Sequence, residues 1–323
     1  MKAIKFEQLG GPEVLQLVDA PAPALGPHDV LVHHHAIGVN FIDTYFRSGL
    51  YKTQLPSGLG QEAAGIVEAI GADVSRFKIG DRIAYCGGAL GAYAQASVVN
   101  ETRAVRLPDA ISFDVAASAM LKGATARYLL RKTFRVERGH AVLIHAAAGG
   151  VGQIAVQWAK HLGATVIATV GSEAKANIAR DLGVDHVLIT SQGDIAKRVR
   201  DLTNGEGVHV VYDGVGKDTW EASLDSLSPL GMMVSYGNAS GPAPAFSPLV
   251  LSQKGSLFLT RPTLNHYTAT PQALDETAQD LFDVIANGAV KIAPPARYAL
   301  ADAAQAHRDL EARKTTGSLV LIP

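Results

Sequence analysis

Along the middle of the chain, short apolar runs alternate with longer stretches whose apolar residues recur at helical spacing. Ala141 to Ile144, Thr165 to Val170, 186–190, 208–212 and 231–236 read as strands, and 152–161, 173–182 and 192–203 read as helices. Strands alternating with helices predict a parallel, doubly wound sheet. Residues 1–122 have a different texture. Strands such as Val30 to Ile37 and Gly65 to Ile70 are cut by turn signals at Gly10-Gly11-Pro12, Gly26-Pro27, Gly58-Leu59-Gly60 and Gly80-Asp81. That spacing predicts a mostly β unit, barrel-like or sandwich-like. A helical stretch from Ser112 to Leu130 leads into the middle, and a strand at 256–260 ends it at Arg261-Pro262. A helix at 271–287, stopped by Asn287-Gly288, then a helix at 302–313 and a strand from Ser318 to Ile322 form the tail. This tail is too short for a domain and is expected to pack back on the N-terminal unit. The expected division is 1–122 with 262–323, and 123–261 between them.

The run His140-Ala141-Val142-Leu143-Ile144-His145-Ala146-Ala147-Ala148-Gly149-Gly150-Val151-Gly152 is the most informative segment. A strand enters a glycine-rich turn and a helix leaves it. Free backbone N–H groups and the positive end of the helix then converge on one point, where a pyrophosphate fits. Ala147, Gly149 and Gly152 take the three places of the dinucleotide fingerprint. The same turn without a ligand would be a packing device; the strands and helices that follow favour a dinucleotide.

Composition narrows the setting. The 323 residues carry 29 basic and 30 acidic side chains, a formal net charge of −1, with no basic stripe to mark nucleic acid as a main partner. No run of eighteen apolar residues predicts a membrane span, and the N-terminus does not read as a signal peptide. Cys86 is the single cysteine, so no internal disulfide is possible. A cytoplasmic enzyme is the expectation.

The coenzyme type is read at the second strand. An acidic residue about 20 positions after the glycine turn usually holds the adenosine ribose hydroxyl of NAD. Here that strand ends Thr169-Val170-Gly171-Ser172, and no carboxylate stands at its tip. A hydroxyl at Ser172 and a cation at Lys175 suit a 2′-phosphate, which points to NADPH. Ser172 also reads as a helix N-cap and Lys175 as a solvated helix residue; both roles can hold together.

Several motifs then matter as an ordered set. They are Gly38-Val39-Asn40-Phe41-Ile42-Asp43-Thr44-Tyr45, Ser48-Gly49-Leu50-Tyr51, Gly60-Gln61-Glu62-Ala63-Ala64-Gly65, Gly80-Asp81-Arg82-Ile83, the glycine turn, Tyr212-Asp213-Gly214-Val215-Gly216, Ser235-Tyr236-Gly237-Asn238 and Gly317-Ser318-Leu319-Val320. Over essentially the whole chain this set resembles the medium-chain dehydrogenase/reductase superfamily. Within it, the chain is similar to the zinc-independent, NADPH-dependent quinone oxidoreductases related to zeta-crystallin. The resemblance implies an α/β protein with a GroES-like, β-rich catalytic domain built from both chain ends. It also implies a Rossmann domain with a doubly wound parallel sheet, a cleft for the nicotinamide, and a homodimer.

Zinc-dependent relatives place a cysteine where this chain has Asn40, a histidine where it has Gln61, and another cysteine near Leu121. A catalytic zinc needs about three nitrogen, sulfur or carboxylate ligands, and these positions supply poor ones. Glu62 is a lone carboxylate, read as structural or as orienting polar groups. His33 and His35 share a strand face with no third ligand evident, so no metal is expected. Hydride addition to a simple ketone makes a strongly basic alkoxide that calls for a Lewis acid. Addition to a quinone makes a phenolate-like anion whose acid has a pKa of roughly 10, by analogy with tyrosine. An enone likewise spreads the charge as an enolate. Quinone reduction is therefore favoured. An enone or enal reductase and a non-catalytic, crystallin-like or RNA-binding NADPH protein are the alternatives, RNA being a minor one.

By resemblance, Asn40, Asp43, Tyr45 and Tyr51 lie beside the nicotinamide and the acceptor. Asn40 can orient the carboxamide or the acceptor oxygen, and a tyrosine can donate to that oxygen or stack on a flat ring. Both tyrosines could equally be packing residues. Asp43 reads as a structural acceptor rather than a base. Gly149, Gly150, Val151 and Gly152 are assigned to the pyrophosphate, and Gly171, Ser172 and Lys175 to the adenosine phosphate. Tyr128, the loop Tyr236-Gly237-Asn238 and Arg313 are further coenzyme candidates; Arg313 reads equally as a basic residue near a helix end. Thr190 stands where relatives often carry a tyrosine over the adenine.

Overall fold

The computed structural model describes residues 1–323, which divide into two compact units. The first comprises Met1–Ala124, Thr268–Ala286 and Ile292–Pro323; the second comprises Thr125–Tyr267 and Asn287–Lys291. The chain thus crosses between units after Ala124 rather than after 122, and returns after Tyr267 rather than after 261.

The first unit is built on a seven-stranded sheet in which Ala296–Ala299, Leu319–Ile322, Asp29–Val39, Glu62–Ile70, Arg82–Cys86 and Ala104–Arg106 are neighbours in that order. Ala96–Asn100 also pairs with Asp29–Val39. The C-terminal strand Leu319–Ile322 runs antiparallel to Asp29–Val39, Leu319 opposite Val39, so the tail completes the sheet begun by the N-terminal segment. Lys2–Phe6 forms a smaller sheet with Gln16–Asp19 and Ser57–Gly58. Phe6, Val32, Ile37, Leu59, Ile83 and Leu321 are fully buried in one core.

In the second unit a six-stranded parallel sheet has the order His186–Ile189, Thr165–Val170, Ala141–Ile144, Val208–Asp213, Leu227–Ser235, Phe258–Thr260. Counted along the chain, the order is third, second, first, fourth, fifth, sixth. That order leaves a crevice at the carboxyl ends of the first and fourth strands, where the connections part to opposite sides. Leu143, Ile167, Val211 and Met233 fill the core around these strands.

Several boundaries move, each for a local reason. The helix after the glycine turn begins at Gly150, not 152, because Gly149 is its extended N-cap (φ −80°, ψ 170°). The helix expected at 192–203 spans Ile195–Leu202, since Asp194 caps it and Gly193 is left-handed. The strand expected at 231–236 starts at Leu227, with a register shift against Val208–Asp213. The long helix Phe113–Tyr128 gives way at Leu129–Thr133 to a wider, π-type turn. Helix Phe41–Ser48 was not expected; it starts after Asn40 and stops at left-handed Gly49 (φ 86°).

Candidate functional site

The glycine turn occupies the carboxyl end of the first parallel strand. Its path is fixed by backbone bonds to both neighbouring strands: His145 N–H donates to Tyr212 O at 3.1 Å, and Ala147 N–H to Thr169 O at 3.1 Å. Ala146 is left-handed (φ 53°), which folds the chain tightly enough for Gly149 N–H to reach Ala146 O at 2.9 Å. The helix then leaves so close to the turn that a Cβ on Gly152 would lie 2.5 Å from Ala146 O and 2.7 Å from Ala147 Cα. No side chain caps the start of this helix, whereas Ser172 and Asp194 cap the next two. Its first N–H groups are therefore presented without a side-chain acceptor of their own. This arrangement fits a dinucleotide pyrophosphate.

At the tip of the second strand, a Cβ on Gly171 would meet nothing within 4 Å. Ser172 is exposed, and its hydroxyl accepts from Lys175 N–H at 3.4 Å, a long cap. Lys175 is half-buried on the same helical turn, and Thr190 ends the third strand exposed, its N–H bonded to Val170 O. Val170 pairs with Ile189, so the ends of the second and third strands lie side by side, and the space over Gly171 is open. Tyr128 is buried and stacks on Tyr267, centroids 4.5 Å apart and planes 11° apart.

The loop Tyr236-Gly237-Asn238 is docked against Asp213-Gly214-Val215-Gly216. Tyr236 N–H donates to Asp213 O at 2.8 Å, and a Cβ on Gly237 would strike Gly214 O at 2.4 Å. Asp213 is the anchor: its side chain accepts from the Val215 and Gly216 N–H groups and from the Thr219 and Ser223 hydroxyls. His145 joins through Thr169 Oγ1 at 2.8 Å and Ser223 Oγ at 3.0 Å, and burial lowers its pKa. Arg261 adds a bond to Ser235 O at 2.9 Å. The sequence reading left Asp213, His145 and Arg261 without roles.

In the first unit, Asn40 and Asp43 begin the helix Phe41–Ser48. Asn40 N–H donates to Asp43 Oδ2 at 2.8 Å, and Tyr93 Oη donates to the same oxygen at 2.9 Å. Asp43 is fully buried and its Oδ1 has no partner; burial pushes its pKa up to about 7. Asp43 therefore holds the helix start. Tyr93 also contacts His307 Nε2 at 3.1 Å, His307 Nδ1 meets Arg47 at 2.8 Å, and Arg47 pairs with Glu311 at 2.6 Å. Tyr45 is buried and Tyr51 half-buried; their rings meet edge-on at 5.2 Å, with Phe41 and Phe46 beside them. Arg313 belongs to this unit, left-handed (φ 57°) just after the helix Ala303–Glu311.

Asn40 Nδ2 donates to Glu62 Oε2 at 2.7 Å. Glu62 is fully buried beside Lys122, Nζ to Oε2 3.6 Å, and burial raises its pKa against the pull of that ammonium. Lys122, itself buried, was missed by the sequence reading. Gln61 Nε2 donates to Gly88 O. His33 and His35 are exposed while His34 is buried against Ala94 O and Tyr85. No group of three or more His, Cys, Asp or Glu side chains is placed to hold a metal ion.

Residues 26–109 match the alcohol dehydrogenase GroES-like domain family, and residues 150–282 the zinc-binding dehydrogenase family. The chain is 53% identical over 323 residues to a quinone oxidoreductase of Pseudomonas aeruginosa, covering 100% of this chain and 99% of that protein. It is 44% identical to a 2-haloacrylate reductase of a Burkholderia species, covering 99% and 98%. The crystal structure of Escherichia coli quinone oxidoreductase complexed with NADPH superposes with a TM-score of 0.98, at 48% identity over 100% of both chains.

Proposed function

The chain belongs to the quinone oxidoreductase family of the medium-chain dehydrogenase/reductase superfamily, and from that premise we propose that it reduces quinones with NADPH. The observation that carries the reading is the uncapped, glycine-lined helix start at the sheet's crevice, followed by a strand tip with a hydroxyl and a lysine in place of an acid.

NADPH supplies a hydride, and with one proton from the medium the acceptor becomes a hydroquinone. The backbone N–H groups of Gly150, Val151 and Gly152 hold the pyrophosphate, with Gly149 making the approach close. Ser172 and Lys175 hold the 2′-phosphate, beside Gly171 and Thr190. Tyr128, Tyr236, Gly237, Asn238 and Arg313 are assigned to the remainder of the coenzyme. Asn40 orients the reacting groups, and Tyr45 and Tyr51 face the acceptor as flat, weakly polar walls. Asp43 fixes the helix that carries Tyr45 and leads into Tyr51. A delocalised anion product needs this positioning and hydrogen bonding rather than a Lewis acid, and Asn40, Gln61 and Leu121 are not a metal's donor set.

NADPH oxidation with and without a 1,4-benzoquinone acceptor, repeated with NADH and with a 2-haloacrylate, tests the reading. Quinone-dependent turnover that prefers NADPH supports it. Turnover with the activated alkene alone would move the chain to the 2-haloacrylate reductase reading. Tight NADPH binding without turnover on any acceptor would make it a coenzyme-binding protein.

A homodimer belongs to the same proposal. Phe258–Thr260 is an edge strand, and Phe258, Leu249 and Leu230 are 56%, 60% and 66% exposed. No helix is long and apolar enough to cross a membrane. A cytoplasmic setting belongs to the same proposal; the single cysteine, Cys86, allows no internal disulfide.

A further inference from the structure

Glu62 is a fully buried carboxylate whose two oxygens serve different donors. Oε1 accepts from the Leu121 backbone N–H at 2.7 Å, and Oε2 from Asn40 Nδ2 at 2.7 Å. Lys122 Nζ stands 3.6 Å from Oε2 and 3.4 Å from Val39 O, both long for an ammonium, so it balances charge more than it fixes geometry. The backbone is cut to admit the carboxylate. A Cβ on Gly38 would lie 2.1 Å from Glu62 Oε2 and 2.3 Å from Ala117 O.

We propose that Glu62 is a positioning residue for the reduction: by taking a hydrogen from Asn40 Nδ2 it locks the Asn40 amide in one of its two flipped senses. The nitrogen is held toward Glu62 and the oxygen toward the Asp43 N–H of the capping box, so the reactants meet one fixed pattern of donor and acceptor. This rests on the role given to Asn40 above.

The chemistry requires a carboxylate at this place. All three groups that face Glu62, the Leu121 N–H, Asn40 Nδ2 and Lys122 Nζ, are donors, and an ionised carboxylate accepts on both oxygens. Glutamine fills the same space but offers an NH2 on one side. One donor would then face another. The Leu121 N–H belongs to a helix and cannot turn, whereas the Asn40 amide can turn at the cost of its oxygen's contact with the Asp43 N–H. Glu62→Gln is therefore expected to reverse the Asn40 amide rather than simply weaken its bond. It also leaves Lys122 without its counter-charge, so a second variant is needed. N40D/E62Q exchanges the two groups, keeps one negative charge beside Lys122, and restores a matched donor–acceptor pair.

The test measures kcat with a benzoquinone acceptor, per folded enzyme, and NADPH affinity by binding titration without acceptor. It uses wild type, E62Q, N40A, N40A/E62Q, N40D and N40D/E62Q. E62Q is expected to lower kcat about 10- to 100-fold, the range typical of supporting residues behind a reactive group, with NADPH affinity held within about 2-fold. In the N40A background the same substitution should cost less than about 2-fold, because the lock acts through Asn40. N40D/E62Q should exceed both N40D and E62Q, and this comparison stands even if a single variant folds poorly. An equal E62Q effect with and without Asn40, or an exchange no better than its single variants, overturns the lock while leaving Asn40 in place. Full kcat in N40A would refute the role of Asn40 and the lock with it.

Discussion

Gly152→Ala tests the coenzyme cradle most directly, because the added atom has a calculable destination. Its Cβ would stand 2.5 Å from Ala146 O, 2.7 Å from Ala147 Cα and 2.8 Å from Ala147 O, all backbone atoms that cannot rotate away. Ordinary contact begins near 3.4 Å, so the helix start must retreat by roughly 0.9 Å from the 2.5 Å contact. Overpacking of this kind costs about 1–3 kcal/mol. For a domain of this size that is a Tm lower by about 2–12 °C. The same retreat carries the helix N–H groups away from the pyrophosphate. Bonds to a charged partner are worth about 1.5–3 kcal/mol each, so losing one weakens NADPH about 10- to 100-fold. Gly149→Ala is the milder comparison. Its Cβ would meet only Ala146 O, at 3.1 Å, so a shift of roughly 0.3 Å suffices and the loss of stability should be smaller, about the cost of placing Ala at a helix N-cap. The assay is a thermal melt with and without NADPH. Without coenzyme Gly149→Ala should melt between wild type and Gly152→Ala; Gly152→Ala should melt lowest and lose most of the upward shift that saturating NADPH gives wild type. A Gly152→Ala protein with wild-type melting and affinity would refute the account of why this helix starts where it does.

Lys175→Ala should weaken NADPH binding about 10-fold, the low end for a charge-assisted bond because the side chain is half-exposed, and leave NADH affinity unchanged; equal losses for both coenzymes would remove the 2′-phosphate assignment. Asp43 carries a pKa pushed up to about 7 by burial, against 3.8 unperturbed, so the folded state binds the extra proton between those values. Its contribution to stability is therefore present at low pH, declines as pH rises from about 4 to 7, and is absent above. Asp43→Asn should flatten that part of the stability–pH curve relative to wild type in chemical denaturation; parallel curves would refute it. Tyr51→Phe should retain quinone turnover within about 3-fold if the ring acts by packing, whereas a loss beyond about 10-fold, with Tm unchanged, would show that the hydroxyl bonds the acceptor.

What was legible in the sequence was local. The strand from Ala141 to Ile144, the glycine turn and the strand from Thr165 to Val170 carry their signals within a few residues, and the structure places both strands at those residues. The helix Phe41–Ser48 had local signals too, an Asn40 start and a Gly49 stop, but eight residues span only about two turns and did not stand out inside a β-rich segment. What was illegible was built by distance. Lys122 lies on a helix and Glu62 on a strand, and nothing in Leu121-Lys122-Gly123 announces that its ammonium is buried against a carboxylate 60 positions earlier. His307 and Arg47 meet across 260 positions. Periodicity reports which face of an element is apolar; it says nothing about which two polar groups that burial brings together.

The chain of buried bonds from Arg47 to Asp43 shows what such juxtapositions do. Arg47 has only donors, so His307 Nδ1 must accept from it. Burial, with the Arg47 charge beside it, holds the His307 pKa down to about 3, so the ring is neutral and Nε2 carries its one hydrogen. That hydrogen goes to Tyr93 Oη, and the Tyr93 hydroxyl in turn points at Asp43 Oδ2. Every bond runs in one direction, toward the carboxylate. A proton wire needs a source that can give up a proton and be recharged, and the upstream end here is a guanidinium that does neither. The chain therefore conducts nothing; it orients. It ties the helix bearing Asn40, Tyr45 and, just beyond, Tyr51 to the helix Ala303–Glu311 from the far end of the polypeptide. This chain is therefore not the source of the proton that completes a hydroquinone, and its buried polar groups are spent on holding the helix in place.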